Sequence, residues 1–210
     1  MSYRPDLHQR RSIRLQGFDY AHSGAYFVTV CSHGRECLFG EFVDGVVELN
    51  EAGKVVVEVL QSLSAHFPHV DVSDYVVMPN HLHAIVNIAG GDVGAKQEVS
   101  ASPVFDGKDK KGNADAKGKA GEALALPLRG TVAGSLGAIV QNFKSVSSRR
   151  INKLRNSPGA LVWQRNYYER VIRNEAELAA IREYIAANPG LWGQDRNHPD
   201  NIDSAHGQSR

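Results

Sequence analysis

Between residues 25 and 188 the spacing of apolar residues switches repeatedly between the two-residue repeat of strands and the three-to-four-residue repeat of helices. The order of those switches restricts the fold more than any other property of the chain. Ala25-Tyr26-Phe27-Val28-Thr29-Val30-Cys31 is β-branched and aromatic and predicts a strand. Cys37 to Leu49 alternates around Asp44-Gly45, a turn dipeptide, and predicts a short hairpin. Asn50 then caps a helix with Ala52, Val56, Val59, Leu60, Leu63 and Phe67 on its buried side, ended by Pro68. Val70 to Met78 and Leu82 to Ile88 predict two strands joined at Pro79-Asn80. A second helix begins near Thr131, with Val132, Leu136, Ile139, Val140, Phe143 and Val146 as its apolar stripe and a polar side suited to facing DNA. Ala160-Leu161-Val162-Trp163-Gln164 predicts a strand, continued irregularly to Ile172. Asn174, with Glu177 three residues on, starts a last helix buried through Leu178, Ile181 and Ile185 and stopped by Pro189-Gly190. Without the hairpin and last helix this order is βαββαβ. The expected class is α+β: a ferredoxin-like antiparallel sheet with helices on one face and the other face free for a ligand, plus the added hairpin and C-terminal helix.

At 210 residues the chain is long enough for one domain with a real core. Residues 1–24 are polar and predict a basic N-terminal arm, residues 25–192 the domain, and residues 193–210 a frayed polar tail. The domain is interrupted at about 90–130, where Gly, Ala, Lys and Asp replace the aromatic and branched residues; such a stretch cannot bury enough apolar surface to offset its ordering entropy and reads as a flexible insertion. No apolar run approaches the roughly 20 residues that span a bilayer, and no apolar stretch follows the charges of the N-terminus. A cytoplasmic protein without a membrane partner is expected. Cys31 and Cys37, without a Cys-x-x-Cys spacing, are expected as free thiols. The net charge is only +1, but Arg10, Arg11 and Arg14 cluster early and Lys144, Arg149, Arg150, Lys153, Arg155, Arg165, Arg170 and Arg173 later. Two basic clusters suit a polyanionic partner, and Arg10, Arg11, Arg14, Lys144, Arg149 and Arg150 are the candidate phosphate contacts.

His81-Leu82-His83 is the principal candidate for chemistry. Alternate strand residues point the same way, so both imidazoles would project from one face while Leu82 enters the core. Two imidazoles side by side can share a cation; the competing reading is a solvent-facing pair on a half-buried strand. Tyr184 and Asn188, four apart, share a face at the edge of the last helix's core stripe. Tyr167 and Tyr168 also offer phenols, but in a strand or loop segment where packing or base stacking is the expected role. His66 and His69 have a ligand-like spacing around Pro68, where a surface or capping role is expected.

Three stretches together, Met78-Pro79-Asn80-His81-Leu82-His83, Asn142-Phe143-Lys144-Ser145 and Tyr184-Ile185-Ala186-Ala187-Asn188-Pro189, resemble the REP-associated tyrosine transposases, a branch of the single-tyrosine HUH transposases of bacterial insertion sequences. Arg10-Arg11-Ser12-Ile13-Arg14-Leu15, Gly24 to Thr29 and Val162 to Glu169 are similar to that branch as well, so the resemblance spans most of residues 10 to 190 outside the insertion. It implies an HUH transposase-like domain over 25–192, with His81 and His83 as catalytic metal ligands, Asn188 as the third ligand and Tyr184 as the nucleophile. It further implies Mg²⁺ or Mn²⁺ as cofactor, single-stranded DNA with hairpin structure as partner, and a monomer or homodimer. The activity implied is breakage and rejoining of DNA beside hairpins or palindromic repeats through a 5′-phosphotyrosine. The alternative is a non-catalytic ferredoxin-like nucleic-acid-binding module; a replication initiator or relaxase fits less well, since those carry a histidine triplet and another motif order.

Overall fold

A computed structural model of the chain describes residues 23–90 and 132–201. Arg10, Arg11 and Arg14, most of the arm, the insertion at 91–130 and the end of the tail lie outside the described residues.

The first strand, β1, covers Gly24–Cys31 and is followed by a hairpin of β2 (Gly40–Val43) and β3 (Val46–Leu49). Asp44 and Gly45 both take positive φ, 48° and 88°, the combination that a two-residue hairpin turn requires. Asn50 Oδ1 accepts a hydrogen bond from Gly53 N (3.0 Å) and starts α1 (Glu51–Gln61) as expected, with Ala52, Val56, Val59 and Leu60 buried. After a break at Ser62, α2 (Leu63–His66) completes this arm of the fold.

The expected single strand from Val70 to Met78 is two pieces, β4 (Val70–Asp71) and β5 (Tyr75–Val77), both antiparallel to β6 (His81–Ile88). Val70 faces Ile88 and Tyr75 faces Ala84, so five steps on one side oppose four on the other. The extra residue makes a bulge at 72–74. Pro79-Asn80 closes a tight turn under a Met78 N to His81 O hydrogen bond of 2.8 Å, and the histidines therefore begin β6.

Helix α3 spans Leu136–Leu154, a later start than Thr131. Gly134 has φ +74° and Ser135 is the cap, so Val132 stands outside the apolar stripe and is 61% exposed. The strand expected at 160–164 is also corrected: only Trp163 forms a bridge, to Ser32, and the sheet position beside β1 is taken by β7 (Tyr168–Ile172). Val162 and Trp163 are apolar because they fill the core. The Trp163 ring packs on Phe39 and Phe143, and its Nε1 donates to Ser147 Oγ at 2.9 Å. Helix α4 (Glu175–Ala187) begins at Asn174, whose side chain accepts from Glu177 N at 2.9 Å; the Glu177 carboxylate in turn accepts from Arg173 N, one residue before the cap.

The sheet order β7-β1-β6, with β4 and β5 along the outer side of β6 and every pair antiparallel, is the ferredoxin-like arrangement. Tyr26, Val28 and Val30 of β1 and Leu82, Ala84 and Val86 of β6 belong to the main core, with α1 and α3. Phe27 and Ile85 belong to a smaller cluster on the opposite face, with Ile185, Ile181 and Leu178 of α4. Arg182 Nε fixes α4 from the side by an ion pair of 3.0 Å with Asp74, in the bulge. Thus the helix carrying Tyr184 lies on the sheet face from which alternate residues of β6, starting at His81, project.

Lys144 is a structural clasp in this fold. Its Nζ donates to the carbonyls of Gln164 (3.0 Å), Arg165 (3.4 Å) and Asn166 (3.0 Å) and lies 5.3 Å from the Tyr167 ring centroid. Burial lowers its ammonium to about 8, still charged at neutral pH. Replacing Lys144 by methionine is expected to cost about 2 kcal/mol, because three charge-assisted bonds, one part-buried and two exposed, are lost together. Urea unfolding checks this; an unchanged midpoint would make the clasp decorative.

Candidate active site

Thr29 of β1 lies opposite His83 of β6, and Cys31 opposite His81. Both histidines are buried, at 0% and 2% exposure, which excludes the solvent-facing reading. Their Nε2 atoms lie 3.1 Å apart. Two nitrogens bound about 2.1 Å from one ion at roughly a right angle would be about 3 Å apart. Tyr184 Oη is 3.2 Å from His83 Nε2, so the last helix brings its phenol to the pair although 101 residues separate them in sequence. Phe27 orders these rings: it stacks on His83 at 5.4 Å and meets the edges of Tyr184 and Tyr168 at 6.0 and 6.3 Å. Tyr184 stays 41% exposed, open to a large substrate.

Asn188 is buried and remains helical (φ −55°, ψ −42°), a conformation that a following proline disfavours. Helix α4 ends before Pro189-Gly190 as expected, and the chain continues as a 3-10 turn, Pro189–Gln194. Asn188 Nδ2 donates to Asp195 Oδ2 over 3.4 Å, leaving the buried Oδ1 without a hydrogen-bond partner. A buried amide oxygen of that kind calls for a donor or a cation.

The tail departs most from expectation. Instead of fraying from Gln194, its described part buries Asp195 and Asn197, and Trp192 just before it packs against His81 (5.9 Å). Asp195 Oδ2 approaches His81 Nε2 to 3.7 Å, and its Oδ1 accepts from Asn197 N at 2.6 Å. Among the described residues, His81, His83 and Asp195 form the one group of three such side chains able to hold a metal ion, their ligand atoms within 4.8 Å of one another. No spacing rule points to Asp195; the available signal was an aspartate shortly after the last helix, three residues beyond Trp192 in an otherwise polar stretch. His66 and His69 join no such group among the described residues.

Burial pulls His81 down to about 4, opposed by Asp195 and reinforced by Arg35 and Arg196. His83 is held well below the usual histidine range by burial, then by His81 and Arg196. Both rings are therefore neutral at pH 7, as metal ligands must be. A histidine with a depressed folded pKa contributes stability that is complete above its unfolded value, near 6.5, and is lost as pH falls through the folded one. In EDTA, stability is expected to fall between pH 6.5 and 4, read as a declining urea midpoint; a flat profile would contradict a neutral buried pair. Burial raises the Tyr184 phenol, with Asp195 adding and Arg196 and the Asn188 amide opposing.

The basic residues divide. Lys144 is committed to carbonyls, and Arg150 pairs with Glu58. Arg149 lines a groove of about 930 Å³ between the polar side of α3 and residues 156–165, with Lys144, Lys153 and Arg165 and no acidic lining residue. The thiols of Cys31 and Cys37 are free. No helix among the described residues is long and apolar enough to cross a membrane.

No family model matches the chain. It is 36% identical over 203 residues to an uncharacterized protein of Haemophilus influenzae, an alignment covering 94% of this chain and 98% of that one. Among solved structures it is similar to a REP-associated tyrosine transposase bound to a REP hairpin, with a TM-score of 0.51, 16% identity, and coverage of 94% of this chain and 89% of the other.

Proposed function

We propose that this chain, which belongs to one family with the Haemophilus influenzae protein and has the fold of the REP-associated tyrosine transposase, is a metal-dependent enzyme that breaks and rejoins single-stranded DNA beside hairpins. The observation that carries this is the meeting of groups a hundred residues apart in the sequence, the facing Nε2 atoms of His81 and His83 and the Tyr184 phenol 3.2 Å from one of them; the buried, unpartnered Oδ1 of Asn188, four residues after Tyr184, adds to it. His81, His83 and Asn188 would hold a divalent cation, with the Asp195 carboxylate beside them offsetting its charge. A set of two imidazoles with oxygen donors suits Mn²⁺ at least as well as Mg²⁺. When bound, the cation supplies Lewis-acid polarisation of the scissile phosphate and counters the cost of ionising a half-buried phenol.

Tyr184 Oη attacks phosphorus and gives up its proton; the P–O3′ bond breaks and the departing 3′ oxygen takes up a proton. The downstream strand is left as a 5′-phosphotyrosine ester. A 3′-hydroxyl attacking that ester reverses the step and joins strands without an external energy source. Tyr184 approaches a histidine of its own chain, which supports use of the tyrosine within one copy.

The test is incubation of the full chain with Mn²⁺ and hairpin-bearing single-stranded DNA drawn from palindromic repeats of its own genome, followed by a search for a covalent adduct. Absence of an adduct would leave the non-catalytic DNA-binding module. DNA outside the cleavage point would lie in the groove of Arg149, Lys153 and Arg165, where phosphate contacts position the strand without reading its sequence. Arg165→Ala is expected to weaken binding severalfold for all sequences alike and to lower the salt dependence by about one ion. A sequence-selective loss, or none, in fluorescence anisotropy at several salt concentrations would remove the groove from the DNA path.

A further inference from the structure

Each imidazole has a second nitrogen, and what that nitrogen touches decides which one keeps the proton. For His81 the partner is Asn80, fully buried in the turn before β6, with Oδ1 2.8 Å from His81 Nδ1. The orientation of this amide follows from its other end, which serves two carbonyls, Arg35 O at 2.9 Å and Asn197 O at 2.7 Å. Only the NH₂ group can donate to both, so an acceptor faces His81 and Nδ1 of His81 must carry the proton. His81 Nε2 is then a bare lone pair. For His83 the partner is Thr29 Oγ1, 2.8 Å from Nδ1, a hydroxyl that can give or accept. Since the two Nε2 atoms are 3.1 Å apart and His81 offers only a lone pair, their contact is a hydrogen bond when His83 holds a proton on Nε2.

We propose that Asn80 is the positioning residue of the pair and makes the two histidines unequal: His81 is locked with its Nε2 lone pair toward the centre, whereas His83 exchanges tautomers. In the metal-free protein His83 carries its proton on Nε2; in the metal-loaded protein it carries it on Nδ1, and Thr29 turns from donor to acceptor. His83 stays neutral throughout, losing a proton at one nitrogen and gaining one at the other. The second half of this statement rests on the cation site proposed above. The first half concerns the metal-free protein alone.

Long-range ¹H–¹⁵N NMR of the full chain with labelled histidine, metal-free at pH 7.5, is expected to show Nδ1–H for His81 and Nε2–H for His83. Asn80→Ala is expected to mix the His81 tautomers and to weaken Mn²⁺ binding by about 10- to 100-fold, read by electron paramagnetic resonance of free Mn²⁺. Asn80→Asp keeps an acceptor toward Nδ1 and is expected to keep the His81 tautomer, although it loses both donations to Arg35 O and Asn197 O. A wild-type His81 protonated on Nε2, or a folded Asn80→Ala protein with an unchanged His81 tautomer, would overturn the role of Asn80. Should Asn80→Ala fail to fold, the wild-type spectrum decides alone. Wild type with the expected metal-free tautomers but no Mn²⁺ binding would overturn the exchange and the cation site while leaving the lock on His81 standing.

Discussion

Tyr184→Phe is expected to eliminate covalent adduct formation on a hairpin-bearing oligonucleotide labelled at its 3′ end, a loss of about 10³-fold or more. The label belongs at the 3′ end because the downstream fragment is the one left on the protein. The substitution removes one oxygen and leaves the ring against Phe27 and His83. With the side chain 41% exposed, stability should stay within about 1 kcal/mol of wild type. Mn²⁺ binding should also persist, since the phenol is not among the proposed ligands. A folded, metal-binding, adduct-free variant is thus the predicted phenotype. Adducts at wild-type levels would transfer the nucleophile's role elsewhere, first to Tyr168, whose ring lies 6.3 Å from Phe27. Because burial holds the Tyr184 phenol above its ordinary value, the wild-type rate should rise with pH through the neutral range into the alkaline one.

The second large effect is expected from the histidines. His81→Ala and His83→Ala should each lower Mn²⁺ affinity by about 100-fold or more and suppress adduct formation to match, because losing one of three ligands opens the site to water. Their stabilities should differ. His81→Ala strands Asn80 Oδ1, a buried acceptor whose amide is held by two carbonyls, at a cost of about 1–3 kcal/mol. His83→Ala leaves a hydroxyl that can turn to another partner, and loses the ring stacked on Phe27. Calorimetry of metal binding with urea unfolding separates the two variants. Equal Mn²⁺ affinity in wild type and both variants would remove the metal from this site.

What could be read from the sequence depended on whether the signal was local. The caps at Asn50 and Asn174, the Asp44-Gly45 turn and the buried stripe of α4 are short-range and were legible. The histidine pair was legible as a spacing, because the two-residue repeat of a strand sets both rings on one face. The split of β4 from β5 was not, since a bulge inserts a residue without changing composition. Val162 and Trp163 misled because burial in a core and pairing in a sheet select the same residue types. Lys144 read as a phosphate contact, since a charge shows its sign in the sequence but not the carbonyls that surround it. Asp195 was missed because it meets His81 across 114 residues, which no spacing encodes; Asn80 adjoins His81 in the sequence, but the carbonyls of Arg35 and Asn197 that fix its amide are 45 and 117 residues away.

His69 joins Ala89 and Gly134, 45 residues apart in the sequence. Its carbonyl accepts from Ala89 N at 2.8 Å and its Nε2 lies 3.4 Å from Gly134 O, so one side chain and its own backbone draw the end of β6 and the approach to α3 together. This junction is at the Ile88 end of β6, and His81 is at the other, about 23 Å away for an eight-residue strand. A substitution at His69 would therefore loosen one end of the strand while leaving untouched the groups that hold the histidine pair at the other, Asn80 and Thr29.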